Sequence, residues 1–138
     1  CAGCGLVYLN PRPSLAEIDE AAATGLHKFG AGALNAIGSH SPRKVREYTE
    51  KLRALLPESA WSDPAMSWLD IGAGFGELAE AVRNLGAVAV RGIEPCIPKV
   101  DRAKALGLPV DATPLSELTG PYTHLSLINV YSHLPDPV

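Results

Sequence analysis

The residues best suited to chemistry lie between positions 70 and 94. Asp70-Ile71-Gly72-Ala73-Gly74-Phe75-Gly76-Glu77 sets three alternating glycines between two carboxylates, and Glu94 adds a third acid 18 residues beyond Gly76. Glycines at this spacing remove side chains where a ligand must approach the backbone, and they permit positive φ. A dinucleotide fingerprint reads Gly-x-Gly-x-x-Gly, but the position of its third glycine is Glu77. A carboxylate in the first turn of a helix stands where a pyrophosphate would dock against the helix N-terminus, and it repels phosphate. Asp70 adds a second negative charge. This environment suits a ligand that carries cationic groups and no phosphate. Glu94, at the end of a following strand, can accept hydrogen bonds from both hydroxyls of a ribose, a role common to several nucleoside cofactor sites.

Elements that place these residues are legible in the periodicity. Residues 66–71 read as a buried strand, and Leu78, Ala81, Val82 and Leu85 mark one face of a helix that Gly86 ends. Residues 87–93 are a second strand, 98–106 a second helix closed by Gly107, 108–111 a short third strand, 115–118 one helical turn, and 123–130 the last strand. Near-continuous apolar strands alternating with amphipathic helices imply a parallel sheet covered on both faces. Right-handed crossovers make it a doubly wound α/β sheet, with ligands at the carboxyl ends of the strands. Upstream, Ser14 and Glu17 form a capping-box pattern opening a helix to about Ala23. Residues 24–41, with Gly25, Gly30, Gly32 and Gly38, read as a connector. Ser41-Pro42 opens a helix with Val45, Tyr48, Leu52 and Leu55 on one face, which Pro57 stops. A polar loop with Asp63-Pro64 follows. The expected division is 1–13 a Cys knuckle, 14–65 a helical segment and connector, and 66–138 the ligand-binding domain.

The motifs and their order resemble class I S-adenosylmethionine-dependent methyltransferases. Trp68-Leu-Asp-Ile-Gly-Ala-Gly-Phe-Gly76 is similar to the family's first motif, and Gly92-Ile-Glu-Pro-Cys96 to its second. Leu127-Ile-Asn-Val-Tyr-Ser-His-Leu-Pro-Asp-Pro137 resembles the fourth-strand motif of the small-molecule branch. Ala103-Lys-Ala-Leu-Gly-Leu-Pro-Val110 matches the passage from second helix to third strand. The resemblance implies a Rossmann-like fold with strand order 3-2-1-4-5-7-6, here reaching strand four. It implies that Asp70, Gly72, Gly74, Phe75 and Gly76 embrace the methionine moiety of S-adenosylmethionine. Glu94 then binds the ribose, Pro95 lines the adenine side, Asp111 and Ala112 sit at the adenine edge, and Asn129 lies beside the methionine end. Methyl transfer displaces an already activated sulfonium, so the protein mainly positions the acceptor. A carbon or hydroxyl acceptor also needs a base, and His133, just past the fourth strand, is the candidate. Holding the loop shape is the competing role for His133, and Tyr131 reads as a wall residue.

Cys1 and Cys4, followed by Gly5, have the spacing of a zinc knuckle. One such pair supplies two of the four ligands that a structural zinc needs, and two reduced surface cysteines are the plain alternative. Cys1 to Ser14 resembles the second half of the zinc ribbon in front of some bacterial methyltransferases, including sugar C-methyltransferases, which implies a further cysteine pair upstream. His27 and His40 are the other candidate ligands, whereas Cys96 is isolated.

With 138 residues, a net charge of −3 and 46% hydrophobic residues, the chain fits one soluble domain. No basic face speaks for nucleic acid, and no apolar run reaches the length of a membrane span. A cytoplasmic protein with a small-molecule methyl acceptor is the expectation, its oligomeric state open. Beginning at Cys1 and stopping after an apolar segment, the chain reads as part of a longer one. Its fourth strand is then an open edge, which predicts poor solubility for these residues alone. An NAD(P)-dependent oxidoreductase and a non-catalytic Rossmann and zinc-ribbon scaffold are the competing functions.

Overall fold

The computed structural model describes Gly3, residues 13–25 and residues 38–130. Helix α1 (Leu15–Thr24) carries the expected capping box: Ser14 Oγ accepts from the Glu17 amide, and Glu17 accepts from the Ser14 amide. Helix α2 (Pro42–Leu55) begins at the Ser41 cap with Pro42 in its first turn. One further turn, α3 (Glu58–Trp61), lies where the sequence suggested a polar loop. Its apolar content is two adjacent residues, Ala60 and Trp61, too little for a periodic signal. Trp61 is 2% exposed and stacks on Trp68, ring centroids 6.3 Å apart.

The expected alternation follows as β1 (Ser67–Ile71), α4 (Glu77–Asn84), β2 (Ala89–Ile93), α5 (Ile97–Ala105), β3 (Val110–Asp111), a 3-10 turn (Leu115–Glu117) and β4 (His124–Leu127). All pairings are parallel, in the order β3-β2-β1-β4. That is a doubly wound order: the chain runs from β1 outward to β3, then crosses back to the other side of β1. The register sets Asp70 beside Gly92 and Ser126, and Trp68 beside Val90 and His124.

One core holds Val45 and Leu52 of α2, Leu78, Ala81 and Val82 of α4, and Trp61, Met66 and Trp68. A second joins Val100 and Ala103 of α5 to Ala73, Leu108 and Val110. Trp68, Val90 and Val110 share one face of the sheet, because strand side chains alternate and the register aligns them. Helices α2, α4 and α5 therefore all cover that face. Burial extends to the opposite face along β1 and β2, where Leu69 and Ile93 are 2% and 4% exposed. On that face of β4, Leu125 and Leu127 are 58% and 40% exposed. The last strand is also shorter than the predicted 123–130. It stops at Leu127, and Asn129 takes a left-handed φ of 57°, which turns the chain away from the strand direction.

Candidate active site

Strand β1 ends at the glycine loop, and the loop is a hub of backbone bonds. The amides of Gly72 and Ala73 both donate to the Ile93 carbonyl, at 2.8 and 2.9 Å. The Gly74 amide donates to Glu94 Oε2 at 2.9 Å, and the Gly76 amide to the Ala73 carbonyl at 2.9 Å. Four loop amides are thus engaged within the protein. A phosphate cradle needs such amides free and pointing at the ligand, so the loop's own bonding disfavours a phosphate guest. All three loop glycines have positive φ. At Gly72 the requirement is also steric, since a Cβ there would collide with a methyl of Val130.

Beside the loop lies a cleft of about 160 Å³, and its lining includes Asp70, Gly72, Gly74, Glu77 and Asn129. Asp70 is 3% exposed and Glu77 5%. Asp70 is held through a buried relay in which Trp68 Nε1 donates to Ser126 Oγ at 2.9 Å, and Ser126 Oγ donates to Asp70 Oδ1 at 2.7 Å. Burial drives the Asp70 carboxyl up to about 6; the Ser126 hydrogen bond opposes this, while the charges of Glu94 and Glu77 add to it. Glu77 Oε1 accepts from the Ser41 amide at 3.2 Å and lies 3.8 Å from Lys44 Nζ. The acid that interrupts the dinucleotide fingerprint is therefore anchored at the N-terminus of α2 and faces the cleft.

Glu94 is 7% exposed. Besides accepting from Gly74, it accepts from the Cys96 amide at 3.1 Å, and Lys99 Nζ stands 3.8 Å away. It braces the loop directly, a role the strand-end position alone did not reveal. Pro95 and Ala112 are both exposed. Asp111 is engaged elsewhere. Arg91 Nε and Nη2 grip its two oxygens at 2.8 and 3.1 Å, and the Thr113 amide adds a third bond at 2.9 Å. The Arg91 hydrogen bond chiefly holds its carboxyl down at about 2. Phe75 does not line the cleft; its buried ring lies under the Arg102 guanidinium, 5.9 Å from the centroid. The structure thus gathers Asp70, Gly72, Gly74 and Asn129 at the cleft, with Glu94 behind the loop, and leaves Phe75 and the Asp111 carboxylate outside it.

Sequence reasoning missed Lys44 and Tyr48, which reach the same cleft from α2. Their signal was their spacing of four, which puts them on one side of the helix; only the docking of α2 beside the loop shows what that side meets. Ser126 was also missed. Its signal is a small polar residue in an apolar strand, and the register with Asp70 explains it. His133, Tyr131, Cys1, Cys4 and His27 lie outside the described residues. Among the described residues no group of three or more His, Cys, Asp and Glu side chains could hold a metal, and no helix is long and apolar enough to cross a membrane. A larger hollow of about 370 Å³, beside His40, Glu80, Arg83 and Leu106, contains none of the predicted cofactor-binding residues.

A family model described as a methyltransferase domain matches residues 39–138. The chain belongs to this methyltransferase family. Comparison with curated proteins and with solved structures gives no match. The matched span begins just before α2, and packing supplies the reason: α2 shares its core with α4 and β1, and it supplies two walls of the cleft. In the methyltransferase domain, then, the glycine loop, the acid after it and the acid ending β2 stand in the expected order on a four-strand parallel sheet. An oxidoreductase is not favoured.

Proposed function

We propose that this methyltransferase domain binds S-adenosylmethionine at the 70–77 loop and serves transfer of its methyl group to a small-molecule acceptor. One observation carries the reading: two buried carboxylates, Asp70 and Glu77, share a cleft beside a loop in which the amides of Gly72, Ala73, Gly74 and Gly76 are already spent on the protein. Such a cleft favours cations and offers little to a phosphate. When bound, the cofactor supplies a methyl group on a cationic sulfur, a leaving group that needs no further activation. Asp70 and Glu77 face its ammonium, and Asn129 closes the same end. Glu94, at the hinge between loop and β2, is the residue for the ribose. The Rossmann frame keeps these groups in place through the amide bonds from loop to Ile93. His133 remains the candidate base, and Cys1 with Cys4 the candidate half of a zinc ribbon.

Thermal denaturation with S-adenosylhomocysteine and, separately, NAD or NADP tests the reading. Stabilisation by the homocysteine nucleoside alone is expected; stabilisation by the dinucleotide alone would overturn it. The affinity should also depend on pH. The ligand's ammonium needs Asp70 ionised, and without ligand Asp70 holds its proton up to about pH 6. Below that value binding must expel a proton, so the affinity for S-adenosylhomocysteine is expected to fall by up to about tenfold per pH unit. Calorimetric titration across this range reads the slope. A flat profile would remove Asp70 from the contact with the ammonium.

A further inference from the structure

The acidic pair explains how the cleft meets a cation, but the tail of the proposed cofactor is an amino acid, with a carboxylate beside its ammonium. Within the cleft, α2 contributes a cation of its own. Lys44 and Tyr48, one turn apart, both line it. Resting on the cofactor reading above, we infer that Lys44 is the specificity-determining residue for the α-carboxylate of the ligand, so that the site selects an intact amino-acid tail.

Three observations support this. First, Lys44 is loosely held: its Nζ lies 3.8 Å from Glu77 Oε1, beyond hydrogen-bond length, and its side chain is half exposed. Glu77 Oε1 already takes the Ser41 amide. The ammonium is therefore free to turn its three donors to an incoming anion. Second, the charges match. Ionised Asp70 and Glu77 with Lys44 give the cleft a net charge of −1. An ammonium, a sulfonium and a carboxylate give S-adenosylmethionine +1, and S-adenosylhomocysteine keeps the ammonium and carboxylate of that tail. Without Lys44 the ligand's carboxylate would face two like charges at close range. Third, the neighbouring polar group is also a donor. Burial and the nearby carboxylates of Glu77 and Asp70 push the Tyr48 phenol up, so it stays protonated.

Lys44 is exposed and packs into neither core, so its replacement leaves the fold intact. The test measures dissociation constants for S-adenosylhomocysteine, its decarboxylated analogue and methylthioadenosine, which lacks the whole tail. The full chain is used as wild type, Lys44→Met and Lys44→Arg. Wild type is expected to prefer S-adenosylhomocysteine over the decarboxylated analogue. Lys44→Met should lose roughly tenfold or more in affinity for the former only, which erases the preference. Lys44→Arg should restore much of it. Equal weakening of all three ligands, or none, would overturn the role of Lys44 while leaving the cofactor reading in place. Failure of wild type to bind any of them would sink the cofactor reading, and this inference with it.

Discussion

Asp70→Asn is expected to stabilise the free protein by about 3 kcal/mol near pH 7.5 while weakening its hold on S-adenosylhomocysteine. In the folded protein Asp70 keeps its proton up to about pH 6, against an ordinary value of 3.8. Between those values the folded state binds more protons than the unfolded one, so stability falls as pH rises through this window. Above it the cost of an ionised, buried carboxylate is present in full; below about pH 3.8 it vanishes. Asparagine removes that cost. Its carbonyl can still accept from Ser126 Oγ, and its amide can face the carboxylates of Glu77 and Glu94, whose charges help to raise Asp70. The gain should therefore shrink to nearly nothing by pH 4. Urea unfolding of both proteins at the two pH values measures it. A gain of equal size at pH 4, or none near pH 7.5, would contradict the assignment. The opposite response of ligand affinity is what marks the group as kept for function, since sites that do chemistry often sacrifice stability to hold a charge.

Gly92→Val is the second substitution with a large expected effect, and it acts on the site from behind. Gly92 lies in β2, between β1 and β3, with its amide donating to the Pro109 carbonyl at 2.7 Å. A Cβ there would stand 2.7 Å from Ala73 Cβ and 3.1 Å from a methyl of Val110. Neither neighbour can swing aside: Ala73 is loop backbone with one methyl, and Val110 is buried in the α5 core. Overpacking of this kind costs about 3 kcal/mol. Because Ala73 belongs to the glycine loop, the strain moves the loop itself. Affinity for S-adenosylhomocysteine is expected to drop along with the midpoint of urea unfolding. Gly107→Ala is the comparison. That residue has φ 70°, but nothing lies within 4 Å of an added Cβ, so only about 1 kcal/mol of backbone strain is expected, with ligand affinity kept. Similar stability and affinity in Gly92→Val and wild type would show that the loop does not rest on this contact.

The two substitutions mark how far the sequence could be read. Asp70 and Glu77 stood out because acids flanking alternating glycines conflict with a phosphate site. Glu94 stood out by its distance from that loop, and the order of strands and helices followed from period alone. The Ser14 and Ser41 caps were equally plain, since capping is decided by residues three positions apart. The short helix at Glu58–Trp61 was not, because one turn with two adjacent apolar residues has no period to detect. The full length of the last strand was overestimated, because the apolar run continues past the point where Asn129 turns the backbone.

What the sequence by itself determined is what near neighbours along the chain decide: the caps, the strand-helix alternation, the glycine loop and the charges beside it. Tertiary structure alone decided which distant groups share the cleft. Docking of α2 against α4 brings Lys44 and Tyr48 to the loop; the β1–β4 register seats Ser126 on Asp70; the β1–β2 contact makes Gly92 a support for Ala73. It also paired the Asp111 carboxylate with Arg91 and set the Phe75 ring beneath Arg102. The physical reason is one of range. Periodicity and capping report on residues within a turn or two, whereas the protonation of Asp70 depends on burial and on charges that only the folded sheet brings together.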